Sequence, residues 1–206
     1  MTGPVAEAVP TGNTYDTYGS TNPVVRRLMA GFDDALDALW RRAAPESAVD
    51  VGCGEGVLTE RFAERLGSGH VVGVDLEDPK LRAEWARRAR PNLDFRTFNG
   101  GHLPFERDEF DVACAIEVLE HVPDPGGMLA EMSRVARRWL LVSVPREPVW
   151  RGLNMARGAY LRDLGNTPGH VNHWSKRAFV AFAGRHGSIE EVRSPFPWTM
   201  LLVRTA

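Results

Sequence analysis

The stretch Val49-Asp50-Val51-Gly52-Cys53-Gly54-Glu55-Gly56 sets an acid inside a short apolar run and follows it with glycines at alternate positions. A second apolar run, Val71-Val72-Gly73-Val74, stops at Asp75. Glycines between a strand and a helix let the chain turn sharply and let a ligand approach the backbone. The free N–H groups and positive dipole end of the helix then suit a carboxylate or a phosphate. Asp75 can accept hydrogen bonds from both hydroxyls of a ribose. Asn99 offers one acceptor and one donor, the pairing an adenine edge requires. Ala115 and Ile116, closing another apolar run, can pack on the adenine face. These residue types describe a site for an adenosine-bearing cofactor. Their G-x-G-x-G spacing departs from the dinucleotide fingerprint G-x-G-x-x-G.

Such residues need strand ends to hold them, and the pattern supplies them. Asn22-Pro23 starts a helix, with an N-cap followed by proline. Val25, Leu28, Met29, Phe32, Leu36, Leu39 and Trp40 then recur at helical spacing. Strands are expected at 48–51, 71–74, 93–98, 110–115 and 139–144. Helices fall between them, striped by Leu58, Phe62 and Leu66, by the segment 79–89, and by Met128, Leu129, Met132 and Val135. Continuous apolar strands alternating with helices imply a parallel sheet covered on both faces. Ser175 caps a last helix, expected to end at Gly187. Strands at 189–193 and 199–204 then pair antiparallel as a hairpin.

With 206 residues, one domain is expected. Residues 1–14 read as a disordered leader and 15–206 as the domain. A lid and helix span 15–45, and an insertion on the substrate side spans 146–174. With 25 basic against 27 acidic side chains, and no basic run mixed with aromatics, a nucleic-acid partner is not expected. No apolar run is long enough for a membrane span, and the N-terminus lacks signal-peptide character. Two cysteines are too few for a disulfide framework or a zinc site. The expectation is a soluble, cytoplasmic protein with no membrane partner. His170 and His173 flank Val171-Asn172 with no acid cluster beside them, so no metal is expected.

The blocks VDVGCGEG, GVDLE, LPF followed by FDVACAIEVLEHVPDP, and LLVSVP stand in order from Ala48 to Pro145. In this the chain resembles the class I S-adenosylmethionine-dependent methyltransferases. The resemblance is to the broad small-molecule group that includes the ubiquinone- and menaquinone-biosynthesis methylases. It implies an α/β fold: a Rossmann-like, seven-stranded, mostly parallel sheet with helices on both faces and a C-terminal antiparallel hairpin. It implies S-adenosylmethionine as cofactor. Asp50 with Gly52, Cys53 and Gly54 would hold the methionine part, Asp75 and Leu76 the ribose, and Asn99 and Gly100 the adenine, with Ile116 beside it. Many relatives have an aspartate where Asn99 stands. Glu117 to His121 would form the rim beside the transferable methyl group.

The acceptor implied is a small molecule. Two segments can shape its pocket: 13–21, with Tyr15 and Tyr18, and 146–174, with Trp150, Tyr160 and His170. An acceptor that carries a proton can require a base, and His121, His170, His173 and Tyr160 are the candidates. Duller readings stand beside these. The glycines can make a turn and nothing more, His121 can hold a structural hydrogen bond, and Trp85 can be packing. Rival functions are a non-catalytic S-adenosylmethionine-binding module, an NAD-dependent oxidoreductase and aminopropyl transfer. Sequence leaves monomer and homodimer open.

Overall fold

The computed structural model describes residues 20–205. The 1–14 leader and the lid residues Tyr15 and Tyr18 lie outside the described residues.

The first helix, α1 (Pro23–Ala43), begins as its sequence dictates: the Asn22 side chain accepts from the Val24 N–H, and Pro23 follows. Phe32, Leu36, Leu39 and Trp40 form its buried face. The chain then runs through β1 (Ser47–Val51), α2 (Val57–Leu66), β2 (His70–Asp75), α3 (Pro79–Arg87), β3 (Leu93–Thr97), β4 (Phe110–Ile116), α4 (Pro125–Val135) and β5 (Ala136–Pro145). Asp78 and Asp124 cap α3 and α4, each followed by proline. Beyond β5 come α5 (Val149–Ala156), a 3-10 turn (Leu161–Asp163), α6 (Lys176–Ala183), β6 (Ser188–Arg193) and β7 (Trp198–Arg204).

The strands make one seven-stranded sheet in the order β3-β2-β1-β4-β5-β7-β6. The first five strands are parallel. β7 is antiparallel to both β5 and β6. Apolar side chains cover both faces. Leu129, Met132, Phe179 and Ala183 from α4 and α6 pack on one face, and Phe32, Leu36, Trp40 and Phe62 from α1 and α2 on the other. The Trp40 and Phe62 rings stack at 4.2 Å.

One local reading changes. The last helix ends at Ala183, not Gly187. A Cβ on Gly187 would lie 2.1 Å from the Arg204 carbonyl oxygen, so this glycine admits the β7 backbone rather than closing the helix. The 146–174 connection holds a helix and a 3-10 turn of its own. Its last residue, Trp174, bridges back to Arg146.

In this order β1 lies between β2 and β4, so the chain leaves its C-terminal end in one direction across the sheet and returns in the other. Open α/β sheets carry ligand crevices at that reversal. The glycine loop follows β1, and Glu117 follows β4.

Candidate active site

Gly52, Gly54 and Gly56 all take left-handed backbone, with φ of 74°, 54° and 82°. At Gly52 a Cβ would approach the Val118 methyls to 2.7 Å, and at Gly56 the Phe95 ring to 2.6 Å. Both positions therefore require glycine for conformation and for space. The loop is held from two sides. The N–H groups of Gly52 and Cys53 donate to the Val74 carbonyl at 2.8 and 3.1 Å. The Gly54 N–H donates to Asp75 Oδ2 at 2.6 Å. Opposite, the Trp85 indole N–H donates to the Gly54 carbonyl at 2.8 Å while its ring stacks on Phe95. Trp85 is thus a brace for the loop as well as packing. We expect Trp85→Phe, which keeps the stack and removes the donor, to lower stability by about 1 kcal/mol, checked by urea denaturation.

Asp75 also accepts from the Leu76 N–H, at 2.7 Å to Oδ1. Each carboxylate oxygen keeps acceptor capacity beyond its one N–H. Burial pushes the Asp75 pKa up, while the bonds from Gly54 and Leu76 pull against it. Beside it a groove of about 670 Å³ runs past Leu76, Glu77, Thr97, Phe98 and Asn99. Asn99 Oδ1 accepts from the Gly101 N–H at 3.2 Å, and Gly100 turns there with φ of 82°. A carboxylate next to Leu76 and an amide in the same groove suit a ribose and an adenine.

Asp50 is buried, and the Thr59 hydroxyl donates to its Oδ2 at 2.7 Å. Burial pushes its pKa up to about 7, against the pull of the Thr59 bond. The Cys53 thiol is driven well above its usual range by burial. That direction favours the thiol over the nucleophilic thiolate.

The rim after β4 is strained and acidic. Glu117, a non-glycine residue, has φ of 59°, a conformation that costs about 1–3 kcal/mol and persists only where surroundings impose it. Ser143, its neighbour on β5, imposes it. The Ser143 Oγ accepts from the Glu117 N–H at 3.1 Å and donates to Glu117 Oε1 at 2.7 Å. Burial pushes the Glu117 carboxyl up to about 8, with the bonds from Ser143 and Trp198 opposing. The Glu120 carboxyl is also driven well above its usual range, first by burial and then by Glu117.

The 146–174 segment docks on this rim largely through its backbone. Val171 and Asn172 N–H groups donate to the Glu120 carbonyl at 2.8 and 3.0 Å. The Asn172 amide donates to the carbonyls of Leu119 and Val122. His121 Nδ1 lies 3.0 Å from the Gly169 carbonyl oxygen. The His121 and His170 rings meet edge to face at 4.8 Å, and Trp150 lies near-parallel to His170 at 6.2 Å. Burial, joined by neighbouring positive groups, lowers the His170 pKa to about 4.

The structure therefore brings His121, His170 and Trp150 together. His173 faces elsewhere in the segment, with Nε2 2.9 Å from Arg151 Nη2 and 2.7 Å from Asn166 Oδ1. Tyr160 opens the 3-10 turn with φ of 53° and is 37% exposed. Thr59, Trp85, Ser143 and Trp198 are supports that residue type and spacing did not reveal. Trp85, Ser143 and Trp198 act on residues distant in the chain, and Thr59 on Asp50 across the glycine loop.

The Methyltransferase domain family matches residues 49–139. The chain is similar to the ubiquinone biosynthesis O-methyltransferase of Methylococcus capsulatus, with 37% identity over 162 residues, 70% of this chain and 67% of that protein. It is 37% identical over 107 residues to the same-named protein of Hahella chejuensis, covering 50% of this chain and 44% of that one. Thus it spans less than half of the second relative's length. Among solved structures it resembles magnesium protoporphyrin IX methyltransferase from Synechocystis PCC 6803. That match has a TM-score of 0.63 and 18% identity, and it covers 91% of this chain and 90% of the other.

Proposed function

Because the chain belongs to the S-adenosylmethionine-dependent methyltransferase family, we propose that it transfers a methyl group from that cofactor to a nucleophilic atom of a small organic acceptor. The observation that carries this reading is the Asp75 carboxylate. It is fastened to the glycine loop by the Gly54 N–H and has acceptor capacity in reserve, next to Leu76, which lines a groove together with Asn99. The cofactor supplies a methyl group on a positively charged sulfur, which is already a strong electrophile. The protein's work is then to bind, align and exclude water.

In this reading Asp50 and the backbone at Gly52, Cys53 and Gly54 receive the amino-acid end of the cofactor. Asp75 and Leu76 take the ribose, Asn99 and Gly100 the adenine, and Ile116 and Glu117 border it. The 146–174 segment with Trp150, Tyr160 and His170 shapes the acceptor pocket, together with the lid residues Tyr15 and Tyr18. His121 and His170 are the favoured proton acceptors, because both lie at the rim after β4, where the methyl group would point. His173 and Tyr160 are less well placed. The acceptor is a small molecule rather than nucleic acid, given the balanced charge. No helix among the described residues is long and apolar enough to cross a membrane. With both cysteines free, the reading places the protein in the cytoplasm.

The test is calorimetric titration with S-adenosylmethionine, S-adenosylhomocysteine and NAD in parallel, followed by labelled-methyl transfer to a panel of acceptors. Binding of the first two alone is expected. Binding of NAD alone would sink the reading, and cofactor binding without transfer to any acceptor would favour a binding module.

Asp50 gives the site a pH dependence. With its pKa near 7, Asp50 is largely protonated at pH 6 in the free protein. Receiving an ammonium group favours the carboxylate, so binding at pH 6 releases a proton. Affinity for S-adenosylmethionine is therefore expected to rise from pH 6 to pH 8. Titration in two buffers of different ionisation enthalpy checks this. An affinity flat over that range would remove Asp50 from the cofactor site.

A further inference from the structure

Glu120 and His121 come from the turn after β4, and His170 comes from the 146–174 segment. One ligand atom of each lies within 4.8 Å of the others. Glu120 is 2% exposed, and its Oε2 is buried with no hydrogen-bond partner. A buried carboxylate oxygen without a donor is uncommon in folded proteins and calls for an explanation, such as an ion.

The histidines are arranged to supply one. A carbonyl oxygen can only accept, so the Gly169 contact at 3.0 Å fixes the proton of neutral His121 on Nδ1. Its Nε2 is then a free lone pair. A metal-binding histidine is commonly oriented in this way, with its other nitrogen donating to a backbone carbonyl. The His170 ring meets the His121 ring edge to face at 4.8 Å, which keeps the two imidazoles adjacent. The Asn172 amide, bonded to the Leu119 and Val122 carbonyls, fastens the histidine-bearing segment to the turn that carries the carboxylate.

We propose that Glu120, His121 and His170 form a binding site for a divalent transition-metal ion of the manganese-to-zinc class. Two imidazole nitrogens and one carboxylate oxygen suit that class, and three protein ligands leave coordination positions open. The position is the rim after β4, beside the crevice assigned to the cofactor. With the ion bound, His121 and His170 serve as ligands instead of bases, and an open position there can take a hydroxyl oxygen of the acceptor, making the hydroxyl easier to deprotonate. This last role rests on the proposed methyl transfer, whereas the metal site does not.

The test uses the full chain after chelation and dialysis, titrated with Co²⁺, Mn²⁺ and Zn²⁺ by calorimetry. Visible absorption is recorded for the cobalt form, and S-adenosylmethionine binding is titrated separately. One equivalent of metal with micromolar or tighter affinity is expected, together with cobalt bands that require nitrogen ligation. His170→Ala and Glu120→Gln should each weaken binding at least tenfold. His70→Ala, at the start of β2, should leave it unchanged. No stoichiometric binding to the wild-type protein would overturn the proposal. So would tight binding that both His170→Ala and Glu120→Gln retain, which would put the ion elsewhere. A variant that loses metal but still binds S-adenosylmethionine is folded and supports the site. Loss of metal binding in both variants together with cofactor binding would mark a collapsed fold rather than a lost ligand, and His121→Gln, which keeps the Gly169 contact within reach, then decides: metal loss with cofactor binding retained supports the site, and metal retention overturns it. A protein that binds metal as predicted but not S-adenosylmethionine would separate this inference from the methyltransferase reading.

Discussion

Replacing Gly54 by valine is expected to abolish detectable S-adenosylmethionine binding, with calorimetry as the measurement and circular dichroism as the check on the fold. Gly54 has φ of 54°, its N–H is bonded to Asp75, and its carbonyl is bonded to Trp85. A β-branched side chain at that φ is a true outlier, and forcing it costs about 1–3 kcal/mol. Relief would come from rotating the peptide, which breaks one or both bonds that hold the loop against β2 and α3. Each broken bond that leaves a buried group unpaired costs roughly another 1–3 kcal/mol. The new methyls also occupy the space a ligand needs to reach the backbone. A Gly54→Val protein that is folded and binds S-adenosylmethionine with unchanged affinity would show that the cofactor lies elsewhere.

The second large effect belongs to Asp75. Asp75→Ala removes the acceptor for the Gly54 and Leu76 N–H groups and the acceptor offered to the ribose. The expected loss in S-adenosylmethionine affinity is about 1–3 kcal/mol, five- to more than a hundredfold. Asp75→Asn separates the two duties. It keeps one oxygen for one backbone N–H but presents an NH₂ where the second N–H points. Its thermal stability should fall toward that of the alanine variant. Equal affinities in wild type and both variants, measured by calorimetry, would refute the ribose assignment.

Much of this arrangement could be read before any coordinates. Asn22-Pro23 announced α1, and the apolar runs ending at Val51, Asp75 and Ile116 announced strand ends. The alternation of strands and helices announced a parallel sheet. These signals are local: a cap, a period, a breaker. The supports of the site were not legible, because each depends on which elements become neighbours. Ser143 meets Glu117 only because β5 pairs with β4 in that register, and Trp85 reaches Gly54 only because α3 packs beside the loop. His170 was read without an acid partner for the same reason. Its carboxylate neighbour, Glu120, comes from the far side of β5 in the chain, and only the docking of the insertion brings them together. The helix end moved from Gly187 to Ala183 because Gly187 serves the approach of β7, a contact that no helical pattern encodes.

The manner in which residues 169–172 are attached has an evolutionary reading. The Val171 and Asn172 N–H groups donate to the Glu120 carbonyl, the His121 ring meets the Gly169 carbonyl, and the Asn172 amide donates to the carbonyls of Leu119 and Val122. Main-chain acceptors are indifferent to side-chain identity. Exposed residues of the segment such as Leu161 and Leu164 can therefore vary in sequence while the attachment stays fixed, whereas Trp150 and Asn154 are each tied to Thr167 by a side-chain hydrogen bond.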